Sequence, residues 1–322
     1  MRIYLSGGFV YMRDLDLERK LSTLGVKNRL YSYFYLRMKP KFREIFHTVL
    51  QEDLFNVMID SGAHSVATMK EAISVEEYGK WLVSLGSMPR SVYINLDVVP
   101  YQHGDEIPPA SRWDQSAQEG WENLKYLESL GLKPVHVFHG GEDMKWLDKL
   151  IDNYEYVGIA ASRLATGESE RYGFLDTVWK KLLDDKGNPI RKVHGFALTS
   201  PEIMVRYPWY SLDSSTWGQF GVYGHILVPT FHRSKLAYSP ISMSPHSPKQ
   251  RGKGHYSNLS EEEKKHVDSF IEECGLTSEQ ILNEDVGCLL KDVVNIKFLL
   301  KLEDEINKRR KTDTTYQRGL FI

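Results

Sequence analysis

The chain has 322 residues, 41% hydrophobic and 26% charged, which excludes collagen-like, low-complexity and largely disordered proteins. Its net charge of −2 excludes a global basic field, although a local basic stripe would still suffice to hold a nucleic acid. Two cysteines, Cys274 and Cys288, cannot build a disulfide scaffold or a zinc ribbon, and no stretch approaches the ~20 apolar residues of a membrane span. No signal-peptide pattern precedes the first strand, so a cytoplasmic protein with reduced thiols and no membrane partner is expected.

In chain order, short β-branched or aromatic runs alternate with amphipathic helices. The predicted strands are Arg2–Ser6, Asn56–Asp60, Ser91–Val98, Pro134–Phe138, Tyr156–Ala161, Lys192–Leu198, Trp209–Leu212 and His225–Pro229. Several are almost wholly apolar, as parallel strands covered on both faces require. Helices are predicted over Glu76–Leu85, Gln115–Leu130, Asp143–Ile151, Gly173–Leu183 and Pro201–Tyr207. The second places Ala117, Trp121, Leu124 and Leu127 on one face, and the last opens on Ser200-Pro201, a cap followed by proline at the first helical position. Eight strands alternating with helices over residues 1–232 predict an α/β fold, a (β/α)8 TIM barrel. A doubly wound open sheet is the rival. Against it, no G-x-G-x-x-G follows the first strand, and polar residues end nearly every strand.

Residues 233–259 carry Pro240, Pro245 and Pro248 and the run Lys249-Gln250-Arg251-Gly252-Lys253-Gly254-His255, which reads as a basic irregular insertion. Ser260 followed by three glutamates starts a helix. Residues 260–322 form a helical C-terminal appendage that reaches the cluster Lys308-Arg309-Arg310-Lys311. Lys249, Arg251 and Lys253, together with that second cluster, are candidate phosphate contacts, or simply solvated charges.

In a barrel of this kind the chemistry sits where the strands end. Three predicted strands finish on an aspartate: Asp60, Asp97, and Asp213 at the end of the seventh. One such residue could be a helix cap. Three at one mouth raise one another's pKa and suit acid–base or nucleophilic work. A metal-hydrolase reading draws on Asp60, Asp97, Asp213, His64, His136 and His139, but His136 and His139 point to opposite faces of their strand. A glycoside hydrolase would use similar carboxylates. A purely binding protein leaves the three aspartates unexplained.

Five motifs then occur in a telling order. Asp60-Ser61-Gly62-Ala63-His64 resembles the D-S-G-G-(Y/F) motif of the guanine transglycosylases, the queuine tRNA-ribosyltransferase family. Phe138-His139-Gly140-Gly141 is similar to its V-Q-G-G, and Gly158-Ile159-Ala160-Ala161 to its I-G-G turn. Val193-His194-Gly195-Phe196 with Thr199-Ser200-Pro201-Glu202 resembles its L-M-G-V-G-T-P-E segment, and Leu212-Asp213 stands at its F-D. The likeness spans about half the chain. The family's C-x-C-x-x-C zinc site has no counterpart between Asp213 and Cys274, and histidines replace three base-pocket residues. The pattern therefore resembles the compact, phage-type branch that exchanges guanine in DNA for a 7-deazaguanine.

The resemblance implies Asp213 as nucleophile and Asp60 as general acid/base, the reverse assignment being the rival. It implies a base pocket of Asp97, Ser61, His64, His139, Gly140, Ala160, Ala161 and His194. Asp97 would accept from the base's N1–H and N2–H2. The His139 ring and backbone amides near Ala160-Ala161 would serve O6, and His64 and His194 would sandwich the base plane. No cofactor and no metal at the reaction centre are called for. The expected partners are DNA, with tRNA as the alternative, and a small 7-deazaguanine base. A homodimer is left open.

Overall fold

The structure, a computed structural model, describes residues 1–63, 65, 72–100, 108–161, 168–232, 235–244, 254–283 and 288–312. The barrel strands are β1 (Arg2–Leu5), β2 (Asn28–Ser32), β3 (Asn56–Asp60), β4 (Ser91–Tyr93), β5 (Val137–His139), β6 (Tyr156–Ala160), β7 (Lys192–Phe196) and β8 (Ser211–Ser214). Their parallel order runs β4-β3-β2-β1-β8-β7-β6-β5. The two ends meet where Asn95 N–H donates to the Val135 carbonyl and Val135 N–H to that of Tyr93, each at 2.8 Å. The ring of eight is therefore closed, and the fold is a (β/α)8 barrel. Among the described residues, no helix is long and apolar enough to cross a membrane.

Strand parity separates two layers. Tyr4, Leu30, Met58, Ile94, Val135 and Val137 fill the barrel interior. Their alternates, such as Ile3, Leu5, Val57 and Ile59, face the surrounding helices. In chain order to the barrel's end these helices are α1 (Leu15–Thr23), α2 (Tyr33–Met38), α3 (Pro40–Gln51), α4 (Val75–Ser84), α5 (Ala110–Ser129), α6 (Met144–Asn153), α7 (Glu168–Leu182), α8 (Pro201–Arg206) and α9 (Thr216–Val222). Helix α5 buries Ala117, Trp121, Leu124 and Leu127 as its periodicity predicts. Ser200 caps α8 by accepting from Ile203 N–H at 3.3 Å, with Pro201 inside the first turn.

Two strands differ from the sequence expectation. The missing barrel strand is β2, whose Asn28-Arg29-Leu30-Tyr31-Ser32 carries an arginine where an apolar residue is the norm. Arg29 is wholly buried in an ion pair with Glu18 at 3.0 Å, and it donates to the carbonyls of Leu5 at 2.8 Å and Gly7 at 2.9 Å. Tyr31 also donates to Glu18 at 3.0 Å. This network hides a polar strand inside an apolar wall. Conversely, His225–Pro229 is not a barrel strand. It belongs to β9 (His225–His232), which pairs antiparallel with β10 (Lys235–Ser242). Asp213 therefore ends the eighth strand, and residues 235–242 are strand rather than irregular chain.

Because removing one partner of a buried pair strands the other charge, Arg29→Ala is expected to destabilise the fold by about 3–5 kcal/mol. Urea unfolding of the variant checks this, and a loss under about 1 kcal/mol would show that Glu18 finds another partner.

The appendage comprises α10 (Glu261–Glu273), α11 (Ser278–Leu282) and α12 (Leu289–Thr312). Ser260 and Glu263 form a capping box on α10. Buried Asn295 of α12 accepts from Leu227 N–H at 2.7 Å and donates to Trp217 O at 2.9 Å, joining hairpin, barrel and helix. The end of α12 lies under the barrel floor. Asn307 accepts from the Met1 ammonium at 2.6 Å, and Glu303 from Ile3 N–H at 2.8 Å. Arg310 donates to the carbonyls of Trp209 at 2.7 Å and Tyr207 at 2.6 Å. Lys308 and Arg309 pair with Asp304 and Glu305. Arg310 of the cluster at 308–311 is thus committed to backbone carbonyls on the face opposite the strand ends, away from the mouth.

Candidate active site

Parity carries the polar residues to the mouth. Asp60 follows inward-facing Met58 by two, and Asp213 is in register with inward-facing Tyr4. His139 registers with Ala160 on the neighbouring strand. Asp97 comes just beyond the β4 junction and reaches His139. The three strand-end aspartates therefore share one mouth, where the charges of Asp97 and Asp213 act on Asp60.

Asp213 is held by named donors. Ser6 Oγ–H donates to Oδ2 at 3.2 Å and Ala197 N–H to Oδ1 at 3.0 Å. Ala197 has φ +53°, a left-handed conformation costly for a residue with a Cβ, and the strained turn aims its amide at the carboxylate. His194 Nε2 lies 3.6 Å from Oδ1, and its Nδ1 meets Ser211 Oγ at 2.7 Å. Ser211 in turn meets the Tyr156 hydroxyl at 2.5 Å. If Tyr156 donates to Ser211 and Ser211 to Nδ1, the histidine carries its proton on Nε2, facing Asp213; the reverse chain would place it on Nδ1.

Asp60 has a different setting. Gly62 N–H donates to its Oδ2 at 3.1 Å. Gly62 has φ +90°, and a Cβ there would sit 2.5 Å from that of Phe34, so only glycine makes this turn. Burial, then the charges of Asp97 and Asp213, push the Asp60 carboxyl up to about 7, although the Ser32 hydroxyl and the Gly62 amide pull the other way.

Asp97 is paired. His139 Nε2 lies 2.8 Å from its Oδ2, and His139 Nδ1 lies 2.8 Å from Glu142 Oε1. Burial opposes the imidazolium, but the hydrogen bonds to Asp97 and Glu142 prevail and raise its pKa to about 10. Glu142, itself buried, is pushed up by desolvation while His139 pulls it down.

Two expected roles need correction. Both His139 nitrogens are committed to carboxylates, so the ring has no proton left for O6 of a base. His194 is fully buried, packed edge-on against Tyr4 at 6.1 Å and Phe196 at 4.4 Å. No base can stack on it; its Nε2 faces Asp213 Oδ1 at 3.6 Å instead. Ser61 is buried, with a hydroxyl unpartnered among the described residues. Gly140 N–H donates to the Ala160 carbonyl at 2.9 Å, which ties those two turns together. Ala161, the next residue, is half-buried. His64, Lys249, Arg251 and Lys253 lie outside the described residues.

Residues not foreseen are Glu142, Ser6, Ser211, Tyr156 and the Ala197 amide. Glu142 was within reach, as an acid directly after His139-Gly140-Gly141. The others depend on register between β1, β6, β7 and β8. His136 turns to the helix side, its Nδ1 2.7 Å from Asn95 Nδ2, which also donates to the Gly120 carbonyl of α5. A ligand set uniting His136 and His139 is thus split across the barrel wall. Among the described residues, no group of three or more His, Cys, Asp or Glu side chains is arranged to hold a metal ion.

No family model and no curated protein matches the chain. Among solved structures it is similar to a D-psicose 3-epimerase with D-tagatose from Clostridium cellulolyticum H10. The two are 11% identical with a TM-score of 0.37, over 66% of this chain and 84% of that one. A likeness at that level carries nothing about activity.

Proposed function

We propose that the chain is a pentosyltransferase that replaces guanine in DNA with a 7-deazaguanine through a covalent aspartyl–sugar intermediate. The observation that supports this best is the division of labour at the mouth. One aspartate, Asp213, is fixed by donors. A second, Asp60, is poised near neutrality, and a third, Asp97, is tied to a cationic histidine. In this reading an Asp213 oxygen bonds to C1′ as the C1′–N9 bond breaks, and protonated Asp60 gives its proton to the departing guanine. The incoming base returns a proton from N9 to Asp60 and bonds to C1′, which releases Asp213. A nucleotide within a duplex must be extruded, or already be single-stranded, to present C1′ here.

Asp97 reads the base. With Oδ2 held by His139, Oδ1 is left for the N1–H and N2–H2 donors that guanine and its 7-deaza analogues share. The test is mass spectrometry of nucleosides from DNA, and separately from tRNA, after incubation with 7-deazaguanine bases. New deazaguanosine in DNA is expected, and incorporation into tRNA alone would move the substrate to RNA. Asp97→Ala should lower exchange more than about 100-fold, because a site built to pair donors loses its acceptor. Wild-type exchange in that variant would remove the base-reading role.

A further inference from the structure

The barrel rim next to Asp60 carries exposed aromatic and basic residues that the chemistry above leaves unused. After β1, Gly7 and Gly8 adopt φ +73° and +74°, and a Cβ on Gly8 would lie 2.4 Å from the Trp217 ring. No side chain fits at Gly8. The turn throws Phe9 and Val10 outward, 43% and 45% exposed. Helix α2 begins directly after Ser32, the register partner of Asp60, so both segments lie at the strand-end rim. The Phe9 ring meets Tyr35 edge-to-face at 4.6 Å, and Met38 at the end of α2 is 46% exposed.

The same rim is cationic. Tyr33-Phe34-Tyr35-Leu36-Arg37-Met38-Lys39-Pro40-Lys41-Phe42-Arg43 contains no carboxylate, and neither does the chain from Met1 to Arg13. Arg43 turns back onto the carbonyls of Leu36 and Arg37, and Arg37 approaches Glu77 at 3.9 Å. Lys39 and Lys41 are exposed. An exposed ring and exposed lysines on one rim are how proteins hold single strands, by stacking bases and neutralising phosphates.

We propose that this rim seats single-stranded DNA flanking the reacting nucleotide, with a base on Phe9 and phosphates on Lys39 and Lys41. This rests on the reading of a DNA substrate.

The test is fluorescence anisotropy with a labelled, guanine-containing single-stranded DNA of about 12 nucleotides. It uses the full chain carrying Asp213→Asn, with no free base present. Adding Phe9→Ala should weaken binding about 5- to 50-fold, the loss of one stacked base. Adding Lys39→Gln with Lys41→Gln should flatten the slope of log affinity against log salt by about 1.4. Circular dichroism confirms folding, and if Phe9→Ala fails that check the lysine pair carries the test. Unchanged affinity and slope overturn the proposal, as does RNA of the same sequence binding as tightly as DNA. If the rim variants weaken DNA binding but the unmutated protein exchanges no guanine, the rim stands and the transglycosylase reading falls. If exchange occurs while the rim variants bind like their parent, the rim alone falls.

Discussion

On the proposed mechanism, Asp213→Asn is expected to abolish the covalent protein–DNA adduct predicted for the unmutated protein, and to lower guanine exchange on the order of 10^4-fold. Exchange without net hydrolysis is achieved when C1′ is captured until the second base arrives, and a carboxylate fixed beneath the sugar can do that. Asp213 is the aspartate at the mouth whose two oxygens are both held. Ser6 and the Ala197 amide hold its two oxygens, and His194 stands behind one of them at 3.6 Å. An amide in its place keeps the volume but not the nucleophile. Denaturing gels of protein incubated with DNA report the adduct. Asp60→Asn keeps the proposed nucleophile, so on that mechanism it should form the adduct more slowly and fail to complete exchange, because the proton donor of the first step and the acceptor of the second are both lost. An adduct that survives in Asp213→Asn and disappears in Asp60→Asn would reverse the two roles.

The barrel was legible because its buried strands are apolar on both faces. The strand-end aspartates were legible because each closes such a run. The strand that escaped, Asn28–Ser32, hides an arginine whose compensation comes from Glu18, on the preceding helix, and from two carbonyls. Periodicity cannot see a partner of that kind. The run His225–Pro229 looked like a wall strand because an apolar hairpin under a helix and a parallel barrel strand carry the same hydrophobic signal. Within the site, residue types were visible but directions were not. His139 and His194 both sit on inward-facing positions. One is locked between two carboxylates, and the other is sealed under the floor of the mouth with a serine and a tyrosine behind it. These fates are set by side chains on β6 and β8 and by Glu142, so register had to be known first.

Asp60→Asn should stabilise the protein in a way that depends on pH. In the unfolded chain an aspartate titrates near 3.9, whereas in the folded protein Asp60 is pushed up to about 7 by burial and by Asp97 and Asp213. Below about pH 4 the residue is protonated in both states and costs nothing. Between about 4 and 7 the unfolded chain ionises first, so folding takes up a proton and stability falls as pH rises. Above about 7 the loss is complete, because a charge must be held beside two others. A carboxyl that titrates one pH unit higher in the folded protein than in the unfolded chain costs about 1.4 kcal/mol once ionised. A chain of this size gains roughly 2 °C in Tm per kcal/mol. The melting temperature of Asp60→Asn should therefore exceed that of the unmutated protein by about 8 °C at pH 8, with the gap closing toward pH 4.5. Thermal melts across that range measure it. A gap that is flat with pH, or that widens toward acid, would mean that Asp60 is ionised throughout, and it could not then serve as the proton donor to the departing guanine.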